Sequence, residues 1–191
     1  MSSRYSNTIV MVEGALCVAF SYVLSYFDLF RMPQGGTVDF ELVPLIIFAY
    51  RRGIKWGLGT GALFGIIRAF LGGYILNPVQ FILDYPLAFA CVGLIAIHPK
   101  IIGFIISAAG QISCSIVSGA IFFSQYAPEG QNPWVYSFWY NMPTLGMKYV
   151  LSWIVALILW KALERELPVR DKKAKNISDS PVEREIQKSE I

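Results

Sequence analysis

The chain has 191 residues, of which 55% are apolar and only 15% charged, against about 25% charged in an average soluble domain. A mean hydropathy of +0.51 excludes an ordinary soluble core and marks a polytopic membrane protein. The formal charge of +3 is small and gives no sign of a nucleic-acid partner.

Residues 1–7 are polar. The apolar run 8–27 is long enough to span a bilayer at about 1.5 Å per residue. It is too long for a signal peptide and no small-residue cleavage site follows, so it reads as the first transmembrane helix. Glu13 falls in its first turns. Ala15 and Ala19 form a small-xxx-small face that lets another helix approach closely, and spacing alone favours a helix of this same chain.

Residues 28–37 are loop-like, with Pro33 and the pair Gly35-Gly36. The next apolar segment, 42–50, is short for a full span. The chain before it is therefore expected to enter the membrane as irregular backbone, which is tolerated only where protein buries it or where it lines a cavity. The third span, 54–71, carries Gly57, Gly59, Gly61 and Gly65 for close packing, and Arg68 about one turn from its far end. The fourth, 78–97, is interrupted at Asp84-Tyr85-Pro86. The fifth, 101–123, is rich in Ser, Ala and Gly. The sixth, 142–163, contains Lys148. Residues 1–167 thus read as one all-α, six-helix transmembrane domain. The tail, 168–191, alternates charges without an apolar face and reads as solvated and disordered.

Arg4, Arg51, Arg52, Lys55, Lys100 and Lys161 fall on one side of this six-span arrangement, so both termini are expected in the cytoplasm. The loops 28–39, 72–77 and 124–135 then face outward. Cys17, Cys91 and Cys114 are odd in number, lack CxxC spacing and lie in apolar segments. They support neither a disulfide framework nor a metal site, and are read as small buried packing residues. No Walker motif is present. The single histidine, His98, falls in a cytoplasmic connection, so a Ser-His dyad in an outer cavity is not expected. Nothing here points to an enzyme.

The stretch 121–141, IFFSQYAPEGQNPWVYSFWYN, joins the fifth and sixth spans. It holds eight aromatic rings and one formal charge, Glu129. Pro128 and Gly130 make a turn in its middle. Such rings can anchor the chain in the headgroup layer, a role that suits Trp134, Trp139 and Tyr140. They can equally wall a pocket for a flat ligand, above all a cationic one. Asp84 is the sharpest polar feature, since a carboxylate inside an apolar span is costly unless paired or hydrated. Gln80 and Asp84 share a helix face, with Asn77 one turn before. They form either a ligand-facing polar strip or, with Arg68, part of an internal ion pair. Asn141 can donate to and accept from a heteroaromatic ring edge. Lys148 has three open roles: pairing with a carboxylate of this chain, meeting a partner, or lining the cavity.

Three blocks, MPQGGTVDFELVPLIIFAYRRGIKWGL, YILNPVQFILDY and SGAIFFSQYAPEGQNPWVYSFWYN, together resemble the thiamine-specific S-component of energy-coupling factor (ECF) vitamin transporters. The likeness covers roughly residues 8–165. It implies a multi-pass protein of the bacterial cell membrane that binds thiamine from outside and has no cofactor of its own. It also implies partners, a transmembrane coupling subunit and two ATPase subunits. ATP is used by those subunits alone, and the S-component topples in the membrane to release its vitamin inward. Ala15 and Ala19 match the family's docking motif for the coupling subunit, which replaces the packing role favoured by spacing. The family's acidic ligand falls on Asp84. Its surrounding aromatic positions fall on Tyr74 and Tyr85, and its polar contacts on Tyr136 and Asn141. A stacking tryptophan of the family falls on Phe123 and a ligand-contacting histidine on Ser115. A tryptophan of the first outer loop is replaced within residues 35–38, where Trp134 is the candidate to compensate. Two rival readings stay open: the same role for a thiamine precursor or other flat heterocyclic vitamin, and a membrane assembly protein without a small ligand.

Overall fold

A computed structural model describes residues 2–32 and 36–166. The charged tail expected at 168–191 lies outside the described residues. The chain divides into two units, Met1–Ala156 and Leu157–Ile191. The cavity and contacts below belong to the first. The described part of the second is the final turns of the last helix.

Helix α1 (Ser2–Leu24) is followed by a two-residue-pair antiparallel hairpin, β1 (Phe30–Arg31) with β2 (Thr37–Val38), Phe30 opposite Val38. The segment expected to be irregular is thus partly a hairpin. Its return side is buried in protein from Val38 onward, with Val38 at 2% and Asp39 at 0% exposure. Helix α2 (Leu42–Arg52) has 11 residues, about 16 Å at helical rise. Gly53 joins it to α3 (Ile54–Gly72) with a single residue at φ 82°, a left-handed turn that favours glycine.

The fourth span is broken where the sequence suggested. Helix α4 (Pro78–Ile82) starts from Asn77, whose Oδ1 accepts the Val79 and Gln80 N–H groups, with Pro78 in the first helical position. A π-helical turn, Leu83–Leu87, encloses Pro86. Proline has no N–H, and its ring crowds the carbonyl four residues back, so the helix widens there. Helix α5 (Ala88–Ala90) and a 3₁₀ stretch (Cys91–Ala96) complete the pass. Helix α6 (Lys100–Phe122), a 3₁₀ turn (Ser124–Tyr126) and α7 (Pro133–Glu166) follow. Helix α7 begins nine residues before the predicted sixth span, so Trp134–Asn141 is helix rather than loop. The cause is local: Asn132 caps the Trp134 N–H at 2.9 Å, and Pro133 opens the helix.

Five segments among the described residues are long and apolar enough to cross a membrane: 7–24, 54–72, 78–96, 100–122 and 133–163. Helix α2 adds the sixth pass as a short element. Its last turn meets the first half of α1, where Arg51 lies 3.0 Å from Glu13 and Arg52 bonds the same carboxylate. The opposite end of the bundle is marked by Arg68 of α3, 3.3 Å from Glu41 just ahead of α2. There too, Tyr22 of α1 donates to the Leu71 carbonyl at 3.1 Å.

The core runs through Leu42, Ile46, Phe64, Val92, Ile95 and Tyr149, all nearly free of exposure. Phe64 meets Phe89 edge-on at 4.8 Å. Three glycines at helical spacing let α3 lie directly on the broken span. A Cβ at Gly57 would sit 2.9 Å from Gly93 Cα. One at Gly61 would strike the Phe89 carbonyl, and one at Gly65 the Tyr85 carbonyl. The cysteines are half-buried rather than buried. Ala15 and Ala19 are exposed, beside exposed Met11, Val12, Leu16 and Phe20, so this face of α1 packs against no other helix of the described chain. The face turned inward is that of Gly14, against Phe48 and Thr60.

Candidate functional site

A cavity of about 560 Å³ opens at the end of the bundle marked by Arg68 and Glu41, opposite Arg51 and Arg52. This is within the usual range for a small-molecule site. The hairpin, α3, the broken span, α6 and α7 all line it, α3 through Arg68 and Gly72. The hairpin contributes Gly36 and Thr37. The broken span gives Gln80, Asp84 and Tyr85. Helix α6 supplies Gln111, Ser115 and Gly119, and α7 supplies Tyr136, Tyr140, Asn141 and Lys148.

Asp84 is held by neutral donors. Gln80 Nε2 donates to its Oδ2 at 2.6 Å and Ser118 Oγ donates to the same atom at 2.8 Å. It has no ion-pair partner among the described residues. Arg68, the sequence candidate for that role, bonds Glu41 instead, so the internal-pair reading of Asp84 is corrected. Gln80 is 1% exposed. Its Oε1 accepts the Leu76 N–H at 3.0 Å, and its Nε2 also reaches the Tyr74 carbonyl at 3.2 Å. Gln80 therefore orients Asp84 and fixes the 74–76 loop at once. Tyr85 closes the same loop: its Oη accepts the Tyr74 N–H at 2.7 Å and lies 3.2 Å from the Tyr74 carbonyl. Asn77, predicted beside Gln80 on the polar strip, is committed to capping α4.

Two groups of rings border the cavity. Tyr74 lies 6.3 Å from Phe123, which stacks with Tyr126 at 6.3 Å and 21°. Tyr136 stacks with Tyr140 at 6.0 Å and 28°. Asn141 gives its Nδ2 to the Ser137 carbonyl at 2.9 Å and the Ser115 carbonyl at 3.4 Å. Its donor is thus used internally, and Oδ1, which takes part in neither bond, remains as an acceptor. Trp134 is the predicted site residue that falls outside the lining; it is 50% exposed on the first turn of α7. The compensating role expected of it is therefore not supported, and the ring that meets Gly36 is Tyr140.

Of the three roles left open for Lys148, the structure shows pairing with carboxylates of this chain, at the cavity lining. Ser118, Thr37, Glu41 and Gln111 were missed as site residues. Lys148 Nζ lies 2.5 Å from Glu41 Oε1 and 3.0 Å from Asp39 Oδ2. With Arg68 on Glu41, two cations face two carboxylates along one wall, and Asp84 is the acid left without a counter-charge. The overlooked signal was periodic. Ser107, Gln111, Ser115 and Ser118 on α6, and Ser137, Asn141, Thr144, Lys148 and Ser152 on α7, recur every three or four residues. Each series marks a polar stripe facing inward in an otherwise lipid-suited helix.

Fold and cavity together define a polytopic helical membrane protein with a cavity of small-molecule size near one end of its bundle. The family described as "Thiamine transporter protein (Thia_YuaJ)" matches residues 11–167, and the chain belongs to that family. It is similar to the thiamine transporter ThiT of Bacillus subtilis (strain 168), at 30% identity over 82% of this chain and 93% of the relative. A second thiamine transporter ThiT, from Lacticaseibacillus paracasei, is 28% identical over 90% of this chain and 96% of its own length. The solved structure of ThiT from Listeria monocytogenes superposes with a TM-score of 0.75 at 24% identity, covering 84% of this chain and 97% of that one, and supports the fold. The resemblance drawn from the three sequence blocks is borne out at the level of the family. The protein is a multi-pass bacterial membrane protein with a transport role rather than a catalytic one.

Proposed function

We propose that this protein captures thiamine from outside the cell and delivers it inward as the S-component of an ECF importer. The observation that carries the ligand is Asp84, a half-buried carboxylate without a counter-charge among the described residues, at a cavity bordered by aromatic rings. Thiamine complements that pattern. Its thiazolium is a permanent cation that ring faces attract by roughly 0.5–2 kcal/mol per good contact. Its aminopyrimidine carries an exocyclic amine able to give a carboxylate a charge-assisted hydrogen bond. The candidate contacts are Asp84, Tyr85, Tyr74, Gln80, Phe123, Ser115, Tyr136 and Asn141. No metal and no covalent step are required.

Orientation follows from charge. Arg51, Arg52 and Lys55 gather at the end of the bundle away from the cavity, so the positive-inside rule turns the cavity outward. Docking on a coupling subunit is assigned to the exposed face of α1 around Ala15 and Ala19, where small side chains allow a second helix to approach closely. That subunit and two ATPases would supply the energy.

Isothermal titration calorimetry of the purified protein with thiamine tests the reading. Saturable one-to-one binding at nanomolar concentration, outcompeting hydroxymethylpyrimidine, is expected. Tighter binding of the pyrimidine than of thiamine would move the assignment to a precursor. Absence of heat with either, together with no co-purifying small molecule by mass spectrometry, would overturn it.

A further inference from the structure

We propose that Lys148 is a positioning residue for the cavity: it holds segment 36–41 against α7, so that Gly36, Thr37 and Glu41 stand as one wall. The inference rests on the binding role proposed above for that cavity.

The hairpin cannot order this wall by itself. It has two residue pairs, and an isolated hairpin of any length is marginal. Its return strand is instead seated on one face of α7, where contacts recur every four or eight residues. Tyr140 Oη accepts the Gly36 N–H at 3.2 Å. Lys148 Nζ reaches Asp39 Oδ2 and Glu41 Oε1 at 3.0 and 2.5 Å. Ser152 Oγ approaches the Asp39 carbonyl at 3.5 Å. Of these, Lys148 makes the ionic contact.

The acceptors are themselves tied to the wall. Asp39 Oδ2 also accepts the Thr37 hydroxyl at 2.8 Å, and Oδ1 accepts the Glu41 N–H at 2.9 Å. One ammonium thus fixes the side chains of Asp39 and Glu41, and through Asp39 it fixes Thr37. The Lys148 side chain is 5% exposed, and removing it would leave two buried carboxylates facing Arg68 alone. Because the ammonium is committed to these acids, it acts on a ligand through the wall.

The test compares full-length wild type with Lys148→Met, Lys148→Arg and Asp39→Asn in lipid nanodiscs. Two quantities are read: amide hydrogen exchange of ligand-free protein, and thiamine affinity. Lys148→Met is expected to speed exchange at 36–41 at least tenfold with α6 unchanged, and to weaken thiamine at least tenfold. Lys148→Arg should recover most of both effects. Asp39→Asn keeps neutral hydrogen bonds to Thr37 and Glu41 but loses one ion pair, so it should show the same two changes at several-fold size. This variant decides the matter if Lys148→Met does not fold. Exchange that rises equally throughout the protein, or wild-type exchange at 36–41 in a folded variant, overturns the proposal. If wild type binds no thiamine while exchange at 36–41 still rises selectively, the ligand reading fails and the positioning role stands.

Discussion

Replacing Asp84 by Asn removes a charge while keeping shape, and it separates the two forces assigned to the cavity. The carboxylate accepts from Gln80 at 2.6 Å and Ser118 at 2.8 Å. An asparagine Oδ1 can keep accepting from these neutral donors, whereas alanine would remove the acceptor from both, leaving Gln80 Nε2 with the Tyr74 carbonyl alone. The ligand-free variant should therefore be at least as stable as wild type, since an uncompensated carboxylate in an apolar span is itself costly. For the ligand, two unit charges about 5 Å apart at an effective dielectric near 20 interact by about 3 kcal/mol. A neutral amide keeps part of the hydrogen bonding, so the expected loss is about 2–3 kcal/mol, or about 30- to 150-fold in affinity. Calorimetric titration of thiamine into both proteins measures the loss, and thermal unfolding without ligand checks the fold. An affinity within threefold of wild type, in a variant at least as stable, would refute the reasoning: recognition would then come from the rings, and Asp84 would be structural.

Four further outcomes follow from the same geometry. Ala15→Leu or Ala19→Leu should abolish thiamine uptake in cells that carry the ATPase module while leaving affinity in purified protein unchanged, because both side chains are exposed and remote from the cavity. Gly65→Ala places a Cβ against the Tyr85 carbonyl. It should cost about 1–3 kcal/mol of stability, seen in thermal unfolding, and should weaken thiamine binding because the π-helical turn carries Asp84 and Tyr85. Trp134→Phe should leave affinity within about twofold, since that ring lies outside the lining; calorimetry decides it. Ser118→Ala takes one of two donors from Asp84 and should weaken thiamine by several-fold, read by the same titration.

The parts of this fold that were legible in the sequence are those set by local rules. Apolar runs gave the spans, and Asp84-Tyr85-Pro86 marked the broken helix because proline cannot continue an α-helical hydrogen-bond ladder. The start of α7 was readable and was missed. Asn132-Pro133 repeats the cap-then-proline pattern of Asn77-Pro78, but the rings that follow resemble an interfacial loop more than a helix. What local rules could not supply was the choice among distant partners. Arg68 could face Asp84, sixteen positions on, or Glu41, 27 positions back, and spacing treats both alike. The choice is made by α2, whose short length places Glu41 at the same end of the bundle as Arg68, and by Lys148, which brings a second cation to that carboxylate. Once Arg68 and Lys148 are committed to Asp39 and Glu41, neither is left for Asp84. The two carboxylates between the hairpin and α2 thus take up the cations of the cavity wall, and this leaves Asp84 in the broken span without a counter-charge among the described residues, as the proposed cationic ligand requires.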